Sequence, residues 1–434
     1  MNNNIFENVD PETIIKKALL VGLDIGEEAD FDRSMEELKS LAEACGKRVT
    51  GIISQKAADV NKAWYIGTGK VAEVAEYAKE CEAEEVIFDN LLSPSQIRNL
   101  TKAIDLPVLD RNRLILDIFA LRARTRESKI QVETARLKYM LPRLVGIHAG
   151  LSRQGGGSGA LSNKGAGETK LELDRRHIEH RISELRRELE KVEDSRNTQR
   201  RLRDKSAIPK VSLVGYTNAG KSTIMNHILE MYGSEDDKKV LEKDILFATL
   251  DTSIRLIDKK DKRPFFLSDT VGFINKLPHD LVESFKSTLM EVKYSDLILC
   301  VVDYSDENFK EQMKVTADTL SELGAGDIPI LYVYNKSDRC DINDLPRIRG
   351  DSIYISAAND EGIKELTELI QDRTYSDHRE VTLLFPYKNG AEMSDFCDNA
   401  EVLSCDYLEE GVKVRGISGS KLIKKYDIFI LNNK

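Results

Sequence analysis

Eight residues, Gly215 to Ser222, read GYTNAGKS, and their types and spacing suit the holding of a polyphosphate. The glycines of G-x-x-x-x-G-K-[ST] let successive backbone N–H groups converge on phosphate oxygens where a Cβ would stand in the way. Gly215, Tyr216, Thr217, Asn218, Ala219 and Gly220 would form the main-chain cradle. Lys221 would bring a point charge to the β- and γ-phosphates, and the Ser222 hydroxyl, followed by Thr223, would ligate Mg²⁺. Val211 to Val214 before the loop reads as a strand and Thr223 to Met231 after it as a helix, whose first turn adds a positive end.

Three more strand-end segments follow in order. Asp269, Thr270, Val271 and Gly272 form D-x-x-G, in which Asp269 could hold Mg²⁺ through water and the Gly272 N–H could meet the γ-phosphate. Asn335, Lys336, Ser337 and Asp338 resemble the N-K-x-D motif that gives guanine specificity to translation-factor GTPases. A carboxylate at Asp338 can accept from guanine N1–H and N2–H₂, which adenine does not offer, so the match selects GTP over ATP. Ser356 and Ala357 resemble the motif whose backbone supports the base. Any one of these segments alone is an ordinary strand-to-turn sequence; all of them in order point to one site.

A switch threonine is required between the P-loop and Asp269. In Phe247 to Thr252, FATLDT, Thr249 is the candidate for closing over Mg²⁺ and the γ-phosphate, with Thr252 as runner-up. Lys221, Thr249 and Gly272 make up the expected catalytic set, and Ser222 and Thr249 the expected metal ligands. Phe273 stands where Ras-like proteins carry a water-orienting glutamine; a phenyl ring cannot orient water, so slow intrinsic hydrolysis is expected. Asn218 resembles a residue that binds a monovalent cation in some GTPases, which makes K⁺ a further candidate; a turn asparagine is the plainer reading.

The elements that must position these residues follow from periodicity. Strands at Val211 to Val214, Phe265 to Ser268, Leu297 to Asp303, Ile328 to Tyr334 and Ser352 to Ile355 alternate with helices, which predicts a doubly wound, mostly parallel α/β sheet over residues 207–374. Residues 1–112 predict a small α/β domain, with strands at Lys17 to Leu23, Arg48 to Ile53, Glu85 to Asp89 and Pro107 to Asp110, and helices at Phe31 to Ala44, Gly69 to Cys81 and Ser93 to Ala103. Residues 113–206 predict a helical hairpin: one long helix from Arg113 to Leu144, a glycine-rich stretch over 153–168 that a regular helix would not tolerate, and a second helix from Leu171 to about Arg203. Residues 381–434 predict a small C-terminal α/β domain, with strands at Val381 to Phe385, Gly411 to Val414 and Ile428 to Leu431 and a helix near Gly390 to Asp398.

Composition sets the outer limits. The 434 residues carry a net charge of −10, which argues against a protein that coats nucleic acid indiscriminately. Between Leu121 and Lys210, however, 22 Lys and Arg face 12 Asp and Glu, either a footprint for phosphates or a solvated, salt-bridged helix surface. No segment is apolar enough to cross a bilayer, and the six cysteines form no C-x-x-C pair or metal-ligand spacing. These features predict a cytoplasmic protein, with association with a membrane surface left open.

Gly155 to Gly157, the run GAGETKLELDRR from Gly165 to Arg176, GYTNAGKST from Gly215, LFATLD from Leu246 and DTVGFI from Asp269 together resemble the HflX family, the ribosome-associated bacterial GTPases. The resemblance spans nearly the whole chain and departs in the loop Ala160 to Lys164. It implies GTP as substrate, Mg²⁺ as cofactor, and a monomer. It also implies binding to the large ribosomal subunit and its RNA through the hairpin and its glycine-rich loop, with splitting or rescue of stalled ribosomes. The rival reading is a nucleotide-gated interaction protein acting on a non-ribosomal protein or membrane partner.

Overall fold

A computed structural model of the chain describes residues 16–26, 31–144, 163–205, 208–233, 253–259, 263–270, 272–274, 290–340, 342 and 344–431. The described residues pack as two compact units, one running through Val192 and the other from Glu193 onward.

The first unit opens with β1 (Lys17–Asp24), α1 (Phe31–Ala44), β2 (Arg48–Lys56), α2 (Thr68–Glu80), β3 (Glu85–Phe88), α3 (Pro94–Ile104) and β4 (Val108–Asp110). The strands form a parallel sheet in the order β2-β1-β3-β4. Apolar runs such as Ala18 to Val21 and Val86 to Phe88 are fully buried, as a sheet covered on both faces requires. Ser93 starts α3 with a capping box to Gln96 and Pro94 at the first helical position.

The helix expected from Arg113 to Leu144 is two helices, α4 (Arg111–Arg122) and α5 (Arg126–Met140). The chain breaks at Thr125, whose hydroxyl accepts from the Ser128 N–H at 3.1 Å and caps α5, a local signal that the apolar periodicity hides. α6 (Asn163–Lys205) starts inside the stretch read as non-helical and carries Gly165 and Gly167. Each glycine costs a helix about 1 kcal/mol, which a 43-residue helix tolerates. Residues 153–162 of the glycine-rich stretch lie outside the described residues. α5 and α6 run antiparallel: Arg126 pairs with Glu188 at 3.0 Å and Glu133 with Arg181 at 2.9 Å. Alongside these pairs Ile130, Leu137, Ile182 and Leu185 form a seam.

The second unit contains β5 (Lys210–Gly215), α7 (Lys221–Tyr232), β6 (Ser253–Ile257), β7 (Phe265–Asp269), β8 (Leu297–Asp303), α8 (Phe309–Glu322), β9 (Ile330–Asn335), β10 (Arg347–Arg349), β11 (Ser352–Tyr354) and α9 (Ile363–Thr374). Its seven-stranded sheet has the order β10-β11-β9-β8-β5-β7-β6. The five inner strands are parallel, and β6 and β10 join antiparallel at the edges. Neither edge strand is expected from the sequence: the three residues of β10 are exposed and β6 is mostly half-buried, so neither carries the continuous apolar run of an inner strand.

The same unit ends with β12 (Arg379–Phe385), α10 (Gly390–Asn399), β13 (Glu401–Leu408), β14 (Gly411–Ser418) and α11 (Ser420–Lys425), in an antiparallel sheet of order β12-β14-β13. β13 was not expected, because most of its residues are exposed. The strand expected at Ile428 to Leu431 is instead a 3₁₀ turn over Asp427–Phe429 followed by a single bridge from Leu383 to Ile430. Phe429 turns inward against Phe385 at 4.8 Å between ring centres, and a 3₁₀ turn achieves this better than strand alternation.

Candidate nucleotide-binding site

The site stands at the C-terminal ends of β5, β7, β9 and β11. Gly215 ends β5 directly opposite Val301 of β8, with φ +142°, and a Cβ there would lie 2.1 Å from the Val301 carbonyl oxygen. Only glycine fits. The chain then turns through Asn218 at φ +61°, so Asn218 serves as a turn residue, and leaves through Gly220 at φ +97°. α7 begins at the next residue, Lys221, with Thr223 half-buried in its first turn.

Lys221 is only 6% exposed. Its ammonium donates to the carbonyls of Gly215 at 3.0 Å and Tyr216 at 2.8 Å, so the lysine lies inside its own loop. Burial pushes it down to about 8, against the opposing pull of Asp269 and Cys300. The Ser222 hydroxyl donates to Asp269 Oδ2 at 2.7 Å, which joins two of the expected metal-site residues. Gly272 closes over the phosphate loop: a Cβ on it would lie 2.8 Å from Thr217 Cγ2 and 3.0 Å from the Lys221 ammonium. Thr249 and Thr252 lie outside the described residues.

Phe273 has a role that sequence reasoning missed. Its N–H donates to the Gly215 carbonyl at 3.1 Å and its carbonyl accepts from the Thr217 N–H at 2.8 Å. Its ring is 2% exposed. The phosphate loop is thereby tied by a parallel bridge, Tyr216 to Phe273, to the segment following D-x-x-G. The signal was available in the sequence only as an apolar residue where a polar one was anticipated.

Asn335 connects the opposite side. It ends β9, is 2% exposed, donates from Nδ2 to the Ala219 carbonyl at 2.9 Å, and accepts at Oδ1 from the Ala357 N–H at 2.9 Å. One side chain thus joins the phosphate loop to the Ser356–Ala357 segment, and the close approach explains Gly220, whose Cβ would fall 2.1 Å from Asn335 Nδ2. Lys336, at φ +60°, pairs with Asp303 at 2.7 Å. Ser337 is buried and Asp338 is exposed, with its carboxylate open to an incoming group.

These residues fit a nucleoside triphosphate and a hard divalent cation. The buried Lys221 ammonium, held by the Gly215 and Tyr216 carbonyl oxygens, is a cation that a phosphate would stabilise further. Among the described residues the buried hydroxyls of Thr217, in the phosphate loop, and Ser356, beside Ala357, have no hydrogen-bond partner. Ser222 and Asp269 bring together a hydroxyl and a carboxylate, oxygen donors of the kind Mg²⁺ prefers. Among the described basic residues of the hairpin, Arg126, Arg175 and Arg181 each pair with a glutamate, as a salt-bridged surface expects of those three.

Profiles of known families match along the chain. One described as GTP-binding GTPase N-terminal covers residues 32–120, one described as GTP-binding GTPase Middle Region covers 122–203, and one described as 50S ribosome-binding GTPase covers 210–336. A GTPase HflX from Caldanaerobacter subterraneus subsp. tengcongensis is 44% identical over 417 residues, spanning 96% of this chain and 94% of that protein. The chain belongs to the HflX family of GTPases. The GTPase HflX of Escherichia coli K12 is 39% identical over 401 residues, spanning 91% of each chain. A solved GTP-binding protein from Sulfolobus solfataricus in complex with GDP aligns at TM-score 0.44 with 26% identity, over 83% of this chain and 98% of that one. As in a P-loop GTPase of the HflX family, the mostly parallel sheet presents its phosphate loop after the inner strand β5. No described helix is long and apolar enough to cross a membrane.

Proposed function

We propose that the chain binds GTP with Mg²⁺, hydrolyses it slowly by itself, and acts on the large ribosomal subunit, splitting or rescuing stalled ribosomes. The observation that carries the nucleotide reading is the double hydrogen bond of Asn335, which builds the phosphate loop and the base-supporting segment into one receptor. In this reading the amides from Gly215 to Gly220 take the phosphate oxygens, and Lys221 exchanges its two carbonyl acceptors for the β- and γ-phosphates. Asp338 takes the guanine edge, and the Gly272 N–H meets the γ-phosphate. Ser222 and Asp269 would hold Mg²⁺, with Thr249 completing the set; the ion supplies positive charge that offsets the charge developing on the transferred phosphoryl group.

The buried Phe273 ring supports a slow intrinsic rate, since the backbone bridge holds it in the core rather than at an attacking water. The group that speeds hydrolysis then comes from a partner. The ribosomal reading rests on family membership and on the 50S ribosome-binding description of the matched profile. Residues 207–374 carry the nucleotide and residues 113–206 reach the RNA. Co-sedimentation with purified large subunits tests it: binding should require a non-hydrolysable GTP analogue and weaken steeply with salt. Lys221→Ala should abolish the nucleotide dependence. Pelleting that is indifferent to nucleotide and salt would favour a non-ribosomal partner.

A further inference from the structure

The C-terminal sheet brings together two cysteines that their spacing in the sequence does not single out. β13 sets Cys405 opposite Val414 of β14, and β12 sets Leu383 opposite the same Val414. Directly opposed side chains share a face, and this one lies under α10: Leu383, Val414 and Phe396 belong to one buried cluster. Phe396 is fully buried against Phe385, with ring centres 5.9 Å apart. The next residue, Cys397, lies about 100° further round the helix and packs at the margin of that cluster, on the face that Cys405 shares with Val414. Both thiols are free, Cys397 half-buried and Cys405 exposed.

We propose that Cys397 and Cys405 form a reversible oxidation site, at which a peroxide converts the pair into a disulfide tying the end of α10 to the edge strand β13. Cys405 is the thiol an oxidant meets first. Its thiolate attacks a peroxide oxygen; the O–O bond breaks, an S–O bond forms, and hydroxide leaves with the thiol's proton as water. The Cys397 sulfur then attacks the sulfur of the Cys405 sulfenic acid. The S–O bond breaks, the S–S bond forms, and the departing hydroxide takes the Cys397 proton as a second water. The pair loses two electrons and two protons, and the peroxide is reduced. A dithiol reverses the step by exchange. Burial first, then Cys405 and Asp398, push the Cys397 thiol up to about 11, so the second step is the slower near neutral pH and quickens as pH rises.

The test uses the purified full chain, treated with hydrogen peroxide, alkylated and digested. No Lys or Arg lies between Lys388 and Lys413, so trypsin leaves both cysteines in one peptide. The disulfide then reads as a loss of about 2 Da with both thiols closed to alkylation, reversed by dithiothreitol. Cleavage before Asp398 should turn that peptide into two fragments joined until reduction. In Cys397→Ser, Cys405 should persist as a sulfenic acid captured by dimedone; in Cys405→Ser, Cys397 should remain fully alkylated at the same dose. Cys405 oxidised beyond the sulfenic acid while Cys397 stays alkylated in the wild-type chain would overturn the proposal. So would a cross-link from Cys405 to any other cysteine, or a wild-type peptide alkylated at both positions after peroxide has consumed an added low-molecular-weight thiol.

Discussion

Substituting Asn335 by alanine should separate a structural turn from a receptor-building residue. The change removes two hydrogen bonds of 2.9 Å and strands the Ala219 carbonyl and the Ala357 N–H, both on buried residues. Each buried group left without a partner costs about 1–3 kcal/mol, so the folded site would carry roughly 2–6 kcal/mol if nothing moved. The loop relieves part of this by turning Ala219 toward water in the empty protein, and nucleotide binding must then undo that relaxation. The portion visible in affinity is therefore one stranded group, about 1–3 kcal/mol, or a roughly 5- to 150-fold rise in Kd for GDP and GTP alike. Asn335→Asp keeps the acceptor for the Ala357 N–H but sets a carboxylate against the Ala219 carbonyl, so it should lose affinity without restoring the loop. Isothermal titration with both nucleotides, alongside urea denaturation, measures the two shares. Alanine-variant affinity within twofold of wild type would refute the reasoning.

Other expectations follow from the same geometry. Gly220→Ala must place a Cβ 2.1 Å from Asn335 Nδ2 at φ +97°, so nucleotide binding should fall below detection in a titration while far-UV dichroism stays near wild type. Gly272→Ala crowds Thr217 and the Lys221 ammonium, and should slow single-turnover GTP hydrolysis more than it weakens GDP binding. Lys221 stands at about 8 against an ordinary 10.5, so between those pH values the unfolded chain keeps a proton that the folded one has released. Stability of the nucleotide-free protein should therefore rise with pH across that window, by about 3 kcal/mol at most, relative to Lys221→Met. The control matters because Cys300, pushed up to about 12 mainly by burial, works in the opposite direction above 9; equal pH profiles for the two proteins would rule the lysine out. Leu185→Ala, in the seam between α5 and α6, should cost about 2–5 kcal/mol, read as faster amide exchange confined to the hairpin.

What could be read from the sequence follows the strength of the local signal. Inner strands such as Leu297 to Asp303 announce themselves because both faces are buried and the apolar run is unbroken. β6, β10 and β13 do not, since an edge strand is defined by a neighbour's hydrogen bonds rather than by its own side chains. The glycines of the phosphate loop were legible as a pattern, but their reasons were not: Gly215 yields to Val301 and Gly220 to Asn335, contacts spanning more than eighty residues. Phe273 was read by what it lacks, whereas its backbone does the positioning. The break at Thr125 was overlooked because a helix cap is a single hydroxyl set against a long apolar period.

The lysine that donates to its own loop sets a limit on what a bound phosphate can gain. Its ammonium is held by the Gly215 and Tyr216 carbonyl oxygens, so an arriving phosphate would gain only the difference between its own pull and theirs.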